Sequence, residues 1–245
     1  MLLEGFSDNK FSSNEYPESQ LYNELRERYK NLHICIQTPQ LRGVMTILRD
    51  ANTTKEDFVF YTDRISRIVL EHALNLLPYD YKEIKTPSGV EFKGISFNTP
   101  ICGVSIVGSG EAMENALRLV CRGCRIGKVL LENYENSHGK SPSASYVKLP
   151  EDVSERVVIL MNPVLGTGES LCCVIDILLE NKVKEENVIC MALLSSKLAI
   201  ENVFSRFPKI KLVISSIDLL LNEENQVIPG VGNFGDRYFG IKQIS

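Results

Sequence analysis

The chain has no tryptophan, only three histidines and no strong excess of either charge. Its 27 lysines and arginines stand against 31 aspartates and glutamates, which gives a net charge of −4. That balance argues against nucleic acid as the main partner. No apolar run reaches the roughly 18 residues of a membrane span, and the acidic first thirty residues contain no signal core. We therefore expect a cytoplasmic protein that binds neither nucleic acid nor a membrane.

The sparse histidines and the seven cysteines also bear on metal binding. His33, His72 and His138 stand far apart in the sequence. Cys121 and Cys124 form a single C-x-x-C without the second pair or the histidines that a zinc site requires. The cysteine number is odd and the contexts are apolar, which is typical of buried free thiols in a reducing compartment. No metal site of the chain's own is predicted.

Apolar strands that alternate with helices fill the second half of the chain. The predicted strands are residues 104–107, 128–131, 157–161, 188–194 and 211–217. The predicted helices are residues 111–121 and 169–179, and a third that ends at residue 207. This order predicts an α/β fold with a parallel sheet and helices on both faces. Ligands of such sheets bind at the carboxyl ends of the strands.

The first half of the chain is more varied. We predict a polar N-terminal extension over residues 1–33, with a loosely packed helix at 13–29, and one domain over residues 34–245. Within this domain a helix begins at residue 62 and stops before Pro78. Residues 81–97 read as a hairpin with its turn at 86–89. Residues 132–148 interrupt the later pattern and are predicted as a mobile flap or the tip of an extended hairpin.

The most informative stretch follows the strand at residues 157–161. The apolar run ends in Asn-Pro-Val-Leu-Gly-Thr-Gly-Glu-Ser, residues 162–170, where a helix pattern begins. Backbone N–H groups of such a loop and helix N-terminus converge on one spot and favour an anion. Thr167 and Ser170 can add hydroxyl donors, and the glycines let the backbone come close. The stretch predicts a phosphate site, although it is not a Walker A loop.

Three further segments occur in order around this phosphate loop. They are residues 46–64, which begin Thr-Ile-Leu-Arg-Asp, residues 103–114, Gly-Val-Ser-Ile-Val-Gly-Ser-Gly-Glu-Ala-Met-Glu, and residues 229–240, Pro-Gly-Val-Gly-Asn-Phe-Gly-Asp-Arg-Tyr-Phe-Gly. Together the four segments resemble uracil phosphoribosyltransferase in its eukaryotic form. The resemblance runs in unbroken order from about residue 40 to residue 240.

The resemblance implies a phosphoribosyltransferase fold with a β-hairpin arm and a C-terminal base-binding loop. It implies that uracil and phosphoribosyl pyrophosphate (PRPP) react to give UMP and pyrophosphate. Such catalysis consists of positioning and electrostatic stabilisation. Mg²⁺ would arrive with PRPP, and GTP would serve as an activator. The resemblance also favours a homodimer or a higher homo-oligomer, and we expect the hairpin and the N-terminal half to form its contact.

The resemblance assigns ligand contacts residue by residue. The PRPP-binding residues would be Gly108, Ser109, Gly110, Asn133, Asn162, Pro163, Val164, Leu165, Gly166, Thr167, Gly168, Glu169, Ser170 and Asn233. Backbone groups of Val227, Gly232, Asn233 and Phe234 would bind uracil. Lys55 and Arg64 would contact GTP, although ordinary ion pairing with neighbouring acids is the alternative for both. A tight loop with a non-proline cis peptide is expected at Gly108 and Ser109.

Several positions depart from the family pattern. Gly108 stands where the family has an arginine, and Asn133 and Tyr134 replace an Arg-Asp pair. The family's carboxylates are amides at Asn162 and Asn233, and a small neutral residue of the phosphate loop is Glu169. Each charge-assisted hydrogen bond contributes roughly 1.5–3 kcal/mol. Loss of two arginines would therefore weaken PRPP binding by roughly 10²–10⁴.

Two functional hypotheses follow from this comparison. In the first, the chain is a working pyrimidine-salvage transferase with a modified PRPP site. In the second, it is an inactive relative that binds uracil or a nucleotide, or acts as a regulatory or dimer partner. Arg118, Arg122, Arg125 or Lys128 could replace the missing cations, although a solvated surface is the ordinary location for such residues.

Overall fold

The computed structural model of the chain describes residues 19–132 and 142–241. Its α-helices are α1 (Ser19–Arg28), α2 (Pro39–Arg49), α3 (Lys55–Leu74), α4 (Glu114–Val120), α5 (Glu169–Glu180), α6 (Lys197–Arg206) and α7 (Phe234–Phe239). Its strands are β1 (Leu32–Ile34), β2 (Asp80–Lys85), β3 (Glu91–Ser96), β4 (Ile101–Ile106), β5 (Arg125–Leu131), β6 (Ala144–Lys148), β7 (Val157–Met161), β8 (Val164–Leu165), β9 (Val188–Ser196), β10 (Lys211–Asp218), β11 (Leu220–Leu221) and β12 (Val227–Ile228).

One large sheet organises the fold. Its strand order is β1-β10-β9-β7-β4-β5-β6, and the short β8 also pairs with β9. These neighbours are parallel except for the antiparallel pair of β5 and β6 at one edge. The predicted parallel sheet is therefore confirmed. The carboxyl ends of β4 and β7 lie side by side, which brings the loops after these strands together.

The sheet has helices on both faces, as the alternation predicted. Successive side chains of a strand point to opposite faces, and β7 shows this plainly because Val158 and Leu160 enter one core while Ile159 and Met161 enter the other. Helices α1, α5 and α6 cover the first core, and α2, α3, α4 and α7 cover the second. Strands that are buried on both faces account for the continuous apolar runs in the sequence.

Local capping explains where several helices begin. The hydroxyl of Thr38 accepts a hydrogen bond from the backbone of Leu41, and Pro39 occupies the first turn of α2. The hydroxyl of Thr54 does the same for Asp57 at the start of α3. Both arrangements satisfy amides that a helix leaves without intrahelical partners.

Some element predictions need correction. The helix expected from residue 62 begins at Lys55, and α2 was not anticipated. The helix expected over residues 111–121 is a 3-10 turn at Ser109–Met113 followed by the shorter α4. In each case capping or tight-turn geometry at the N-terminus set the boundary, and hydrophobic spacing alone does not report it.

The N-terminal helix is packed, and not loosely attached as predicted. Tyr22 and Leu25 of α1 are 3% and 0% exposed. The Tyr22 hydroxyl accepts a hydrogen bond from the amide of Ile217 at 3.0 Å. Strand β1 then joins the sheet beside β10. The domain boundary at residue 33 stays a prediction, and β1 spans it.

Two hairpins project from the sheet. Strands β2 and β3 form the predicted hairpin, with Ile84 paired to Phe92 and Tyr81 paired to Ile95. We call residues 79–97 the hairpin arm. Strands β5 and β6 form a second hairpin at the edge of the large sheet. The flap predicted over residues 132–148 is therefore a strand, β6, in its last part, and residues 133–141 of it lie outside the described residues. No helix in the described ranges is long and apolar enough to cross a membrane.

Candidate phosphate and base site

The phosphate loop, residues 162–170, connects β7 to α5 across the short strand β8. Gly168 caps α5 in the left-handed conformation, with φ of 83°. The carbonyl oxygens of the loop are turned toward α6, because Ser196 donates to that of Gly166 at 2.5 Å and Asn202 donates to that of Thr167 at 2.9 Å. The first-turn amides of α5 lack intrahelical acceptors by helix geometry. This arrangement leaves amide donors for an anion at the sheet's carboxyl edge.

Two glycines of this loop are required by close packing. A β-carbon at Gly166 would collide with the backbone carbonyl oxygen of Asn225. A β-carbon at Gly168 would lie 3.1 Å from the carbonyl oxygen of Ala199. The phosphate loop is therefore closely packed between α6 and the segment that precedes β12.

The turn after β4, residues 108–110, lies against the end of β7. The Ser109 hydroxyl donates to the Asn162 side-chain oxygen at 3.4 Å. A β-carbon at Gly110 would lie 2.5 Å from the Met161 carbonyl oxygen, so the turn sits directly on the strand. The predicted cis peptide at Gly108–Ser109 is wrong, since the cis bond among the described residues is Ile228–Pro229. Gly108 makes the turn with a trans bond and φ of 103°, which glycine adopts without steric cost.

A lysine and two glutamates lie beside Gly108. Lys128 contacts Glu111 at 2.5 Å and Glu114 at 3.3 Å. The amide of Gly108 donates to the second oxygen of Glu111 at 3.4 Å. The hydrogen bond that Lys128 donates to Glu111 raises the pKa of Lys128 above its ordinary value, and desolvation opposes this shift. Glu111 thus links Lys128 to the turn at Gly108, and two carboxylates offset the charge of the lysine.

The other cations that were considered as replacements are Arg118, Arg122 and Arg125, and all three are exposed residues. Arg118 contacts Glu114 at 3.6 Å from an exposed position. Arg125 contacts Asp152 at 2.8 Å at the opposite end of the strands. Neither replaces the family arginine at position 108.

The base loop, residues 227–234, follows β12. Gly230 and Gly232 have positive φ angles of 63° and 70°. Asn233 caps α7 and accepts from the amide of Asp236 at 3.0 Å. The Phe234 ring is 6% exposed and packs on Phe58 with ring centroids 5.5 Å apart. Gly232 and Asn233 are exposed residues, and the Asn233 carbonyl accepts a hydrogen bond from the Arg237 amide at 3.1 Å.

Arg237 holds the base loop from the α7 side. Its guanidinium donates to the carbonyl oxygens of Leu48, Val231 and Asp50 at 2.5, 2.8 and 2.7 Å. It also lies 4.2 Å from the centre of the Phe58 ring. Burial lowers the pKa of Arg237, and the charge of Asp50 opposes this.

A second arginine holds the loop from the sheet side. Arg49 at the end of α2 forms a two-pronged ion pair with Asp218 at the end of β10, with distances of 2.8 and 2.9 Å. The same guanidinium donates to the Gly230 carbonyl at 3.1 Å, and Asp218 accepts from the Gly230 amide at 2.9 Å. Both backbone groups of one glycine are thereby fixed.

The predicted phosphate and base residues meet over one apolar core. Val164 of the phosphate loop lines the same cavity of about 10 Å³ as Val231 and Phe234 of the base loop. The close approach of Gly166 to Asn225 also brings the phosphate loop against the segment that precedes the base loop. Asn133 lies outside the described residues.

The two GTP candidates are not brought together within one chain. Lys55 and Arg64 are nine residues apart on α3, which places them about 180° apart around the helix and about 13 Å along it. Lys55 packs over Gly240, and Arg64 donates to Gln40 at 2.6 Å. A shared ligand would need a second chain.

No group of three or more His, Cys, Asp and Glu within residues 19–132 and 142–241 is arranged to hold a metal ion. All seven cysteines lie in these ranges and are free thiols. Burial raises the pKa of Cys35 to about 12 and that of Cys102 to about 11, which keeps both thiols protonated. Cys121 and Cys124 are likewise free.

Sequence reasoning did not identify the residues that support the site. Arg49 and Arg237 lie within the segments that resemble the family, but no role was predicted for either of them. No sequence pattern singled out Asp218. Ser196 and Asn202 were also missed. Their partners are backbone atoms from distant segments, and a single sequence does not display such contacts.

A parallel sheet with a glycine-rich phosphate loop and a backbone-lined base loop at its carboxyl edge defines the phosphoribosyltransferase class. The family model for uracil phosphoribosyltransferase matches residues 35–241. Uracil phosphoribosyltransferase from Saccharomyces cerevisiae is 44% identical over 213 residues, covering 87% of this chain and 98% of that protein. The chain belongs to the uracil phosphoribosyltransferase family.

Other relatives are longer or more distant. Uridine kinase-like protein 4 from Arabidopsis thaliana is 49% identical over 212 residues, which are 86% of this chain and 45% of that protein. The chain thus spans about half the length of such relatives. The structure of the AQ2163 protein from Aquifex aeolicus matches with a TM-score of 0.75, covering 86% of this chain and 99% of that chain. At 20% identity it shows a shared fold alone.

Proposed function

We propose that the chain transfers a phosphoribosyl group from PRPP to uracil and releases UMP and pyrophosphate. The observation that supports this is the meeting of the phosphate loop and the base loop at one edge of the sheet. The 5′-phosphate would take the amides at the start of α5, and uracil would take backbone groups of residues 227 and 232–234. A flat base and a ribose phosphate held on one rigid core satisfy the positioning that such transfer requires.

Mg²⁺ fits this site as a partner of PRPP. The described site residues offer side-chain oxygens at Ser109 and Asn162, whereas the Glu111 carboxylate is paired with Lys128. Such a set favours a metal that enters with the diphosphate over one held by the protein alone. When bound, Mg²⁺ would neutralise charge on the leaving pyrophosphate. GTP activation stays a proposal for an assembly of two chains. The proposed location is the cytoplasm, supported by the seven free thiols.

Binding without turnover is the second candidate, and the turn at Gly108 favours it. The turn adopts a conformation suited to glycine, and the charge of Lys128 is already offset by Glu111 and Glu114. The ribose contact at position 162 is an amide. Base binding would then survive better than PRPP binding, and the chain would act as a uracil or nucleotide sensor or as a dimer partner.

Conversion of labelled uracil to UMP with PRPP and Mg²⁺ separates the two candidates. Turnover at roughly 1–10³ s⁻¹ is an ordinary enzyme rate and would establish the first. Uracil or UMP binding in calorimetry without UMP formation would establish the second. If neither binding nor turnover occurs, both are wrong.

Restoring charge tests the site assignment. We expect the Gly108→Arg and Asn162→Asp double variant to bind PRPP about tenfold to a hundredfold more tightly, because each restores a charge-assisted contact. Gly89→Arg combined with Asn162→Asp is the matched control, since Gly89 also has a positive φ and open space but lies in the hairpin arm. Both arginines should lower stability similarly. Equal PRPP affinities in the two double variants would contradict the assignment.

A further inference from the structure

The ion pair of Arg49 and Asp218 lies outside the groups that would touch uracil or PRPP. It joins the end of α2 to the end of β10. In the sheet, β10 is separated from β4 by β9 and β7. The Arg49 side chain is 24% exposed and that of Asp218 is 8% exposed. The Ser216 hydroxyl also accepts a hydrogen bond from the Arg49 guanidinium at 2.9 Å. A polar group this buried is expected to have a fixed orientation.

The pair forms hydrogen bonds with the backbone of Gly230 in the base loop. Asp218 accepts from the Gly230 amide, and Arg49 donates to the Gly230 carbonyl. A β-carbon at Gly230 would collide with the Val227 carbonyl oxygen, so the loop folds tightly back on itself here. In the sequence, Gly230 lies between Val227 and residues 232–234, whose backbone groups would meet uracil.

We propose that Arg49 and Asp218 are positioning residues for the base, in that they fix both peptide groups of Gly230 and so set the register of the base loop. This inference rests on the proposed function, because it concerns how the uracil groups are aimed. Displacement of a binding group by about 1 Å can cost about a hundredfold, and here the loss would fall on uracil binding. An ion pair with two hydrogen bonds to one residue prevents that displacement.

The test uses the full chain and the conservative variant Arg49→Lys, which keeps the charge and cannot bridge Asp218, Ser216 and Gly230 together. We expect the KM or Kd for uracil to rise about tenfold to a hundredfold, while kcat at saturating uracil and the affinity for PRPP stay within about threefold. Amide hydrogen exchange of residues 229–234 should become faster. A KM effect with little kcat effect is not expected from general destabilisation.

Arg156→Lys is a matched control. Arg156 forms a similar two-pronged pair with Asp152, at 2.9 and 2.6 Å, and donates to the Ile101 carbonyl at 3.2 Å. It lies at the amino ends of the strands, away from both loops. Equal effects of the two lysine variants on uracil binding, or unchanged exchange of residues 229–234 in Arg49→Lys, would overturn the proposal.

Chemical rescue of Arg49→Ala by guanidinium ion is a second test, which separates loss of the side chain's contacts from a general loss of folding. A cleft of about 140 Å³ adjoins Arg49. It is lined by Gln37, Arg42, Met45, Thr46, Arg49 and Ser216. Millimolar guanidinium ion should partly restore slow exchange at residues 229–234 in Arg49→Ala, and absence of rescue would count against the proposal. If the wild-type chain binds no uracil, the proposed function fails, and the exchange comparison still decides whether the pair holds the loop.

Discussion

At the residue scale, the glycines of this chain differ sharply in what they do. Gly166 cannot carry a side chain without striking the carbonyl oxygen of Asn225, and Gly110 lies almost as close to Met161. Gly43, in the middle of α2, has nothing within 4 Å of a built β-carbon. A glycine in a helix interior costs roughly 0.5–1 kcal/mol relative to alanine. The same substitution should therefore have opposite effects at these sites.

We expect Gly166→Ala to lower the free energy of unfolding by roughly 1–3 kcal/mol, because the phosphate loop and the segment near Asn225 must separate. Gly43→Ala should raise it by roughly 0.5–1 kcal/mol. Urea unfolding followed by circular dichroism measures both. A Gly166→Ala protein as stable as the wild type would show that the two loops do not pack as described.

At the element scale, one aspartate ties three strands together at their amino ends. Asp152 pairs with Arg156, which precedes β7, and with Arg125, which opens β5. Arg156 also donates to Ile101, the first residue of β4. The hydrogen bond from Arg156 lowers the pKa of Asp152 from 3.8 to about 2; desolvation opposes this shift, and the charge of Arg125 adds to it.

This pairing predicts an acid-dependent loss of stability. The pKa of Asp152 is lower in the folded state than in the unfolded state. Its contribution to the free energy of unfolding is therefore complete above about pH 4 and is lost as the pH falls toward 2. Asp152→Asn should be less stable than the wild type at pH 7, and the difference should shrink between pH 4 and 2. Thermal unfolding across this range measures it, with the exposed neighbour Glu151→Gln as the control. A difference that stays constant down to pH 2 would contradict the assignment.

At the scale of the whole molecule, the hairpin arm is the least covered part of the described chain. Phe92 and Ile84 form a cross-strand pair on one face, and Ile95 and Tyr81 form one on the other. All four side chains are 46–86% exposed. A two-stranded hairpin is marginal by itself in water, and apolar side chains on both of its faces call for cover from another chain.

We therefore predict a dimer whose contact includes the hairpin arm. Light scattering at micromolar concentration should give about twice the 27.5 kDa of one chain. A Phe92→Lys and Ile95→Lys double variant should shift the mass toward that of the monomer, because each face then carries a charge that the contact would bury. Leu198→Lys, an exposed leucine on α6, is the control. A monomeric wild-type chain would refute the prediction.

The sequence predicted most of the sheet because its strands are buried on both faces. Strand β7 was predicted to the residue, and β9 and β10 to within two residues, since continuous apolar runs between helices have few other interpretations. The starts of α3 and α4 were missed because capping and 3-10 geometry depend on local hydrogen bonds. The two glycine-rich loops could be located because such loops after strands carry a recognisable pattern, while their phosphate and uracil contacts stay predictions.

What the sequence by itself determined is the family, the parallel sheet and the position of the two glycine-rich loops, because periodicity and ordered motifs are local properties of the chain. Only the tertiary structure decided how the loops are held. The placing of Asp218 against Arg49, and of Gly230 between them, joins residues about 170 positions apart. The turn at Gly108 was likewise settled by packing on Met161 and by the pairing of Glu111 with Lys128. Such contacts depend on which strands become neighbours, and that choice is made by the burial of the whole sheet.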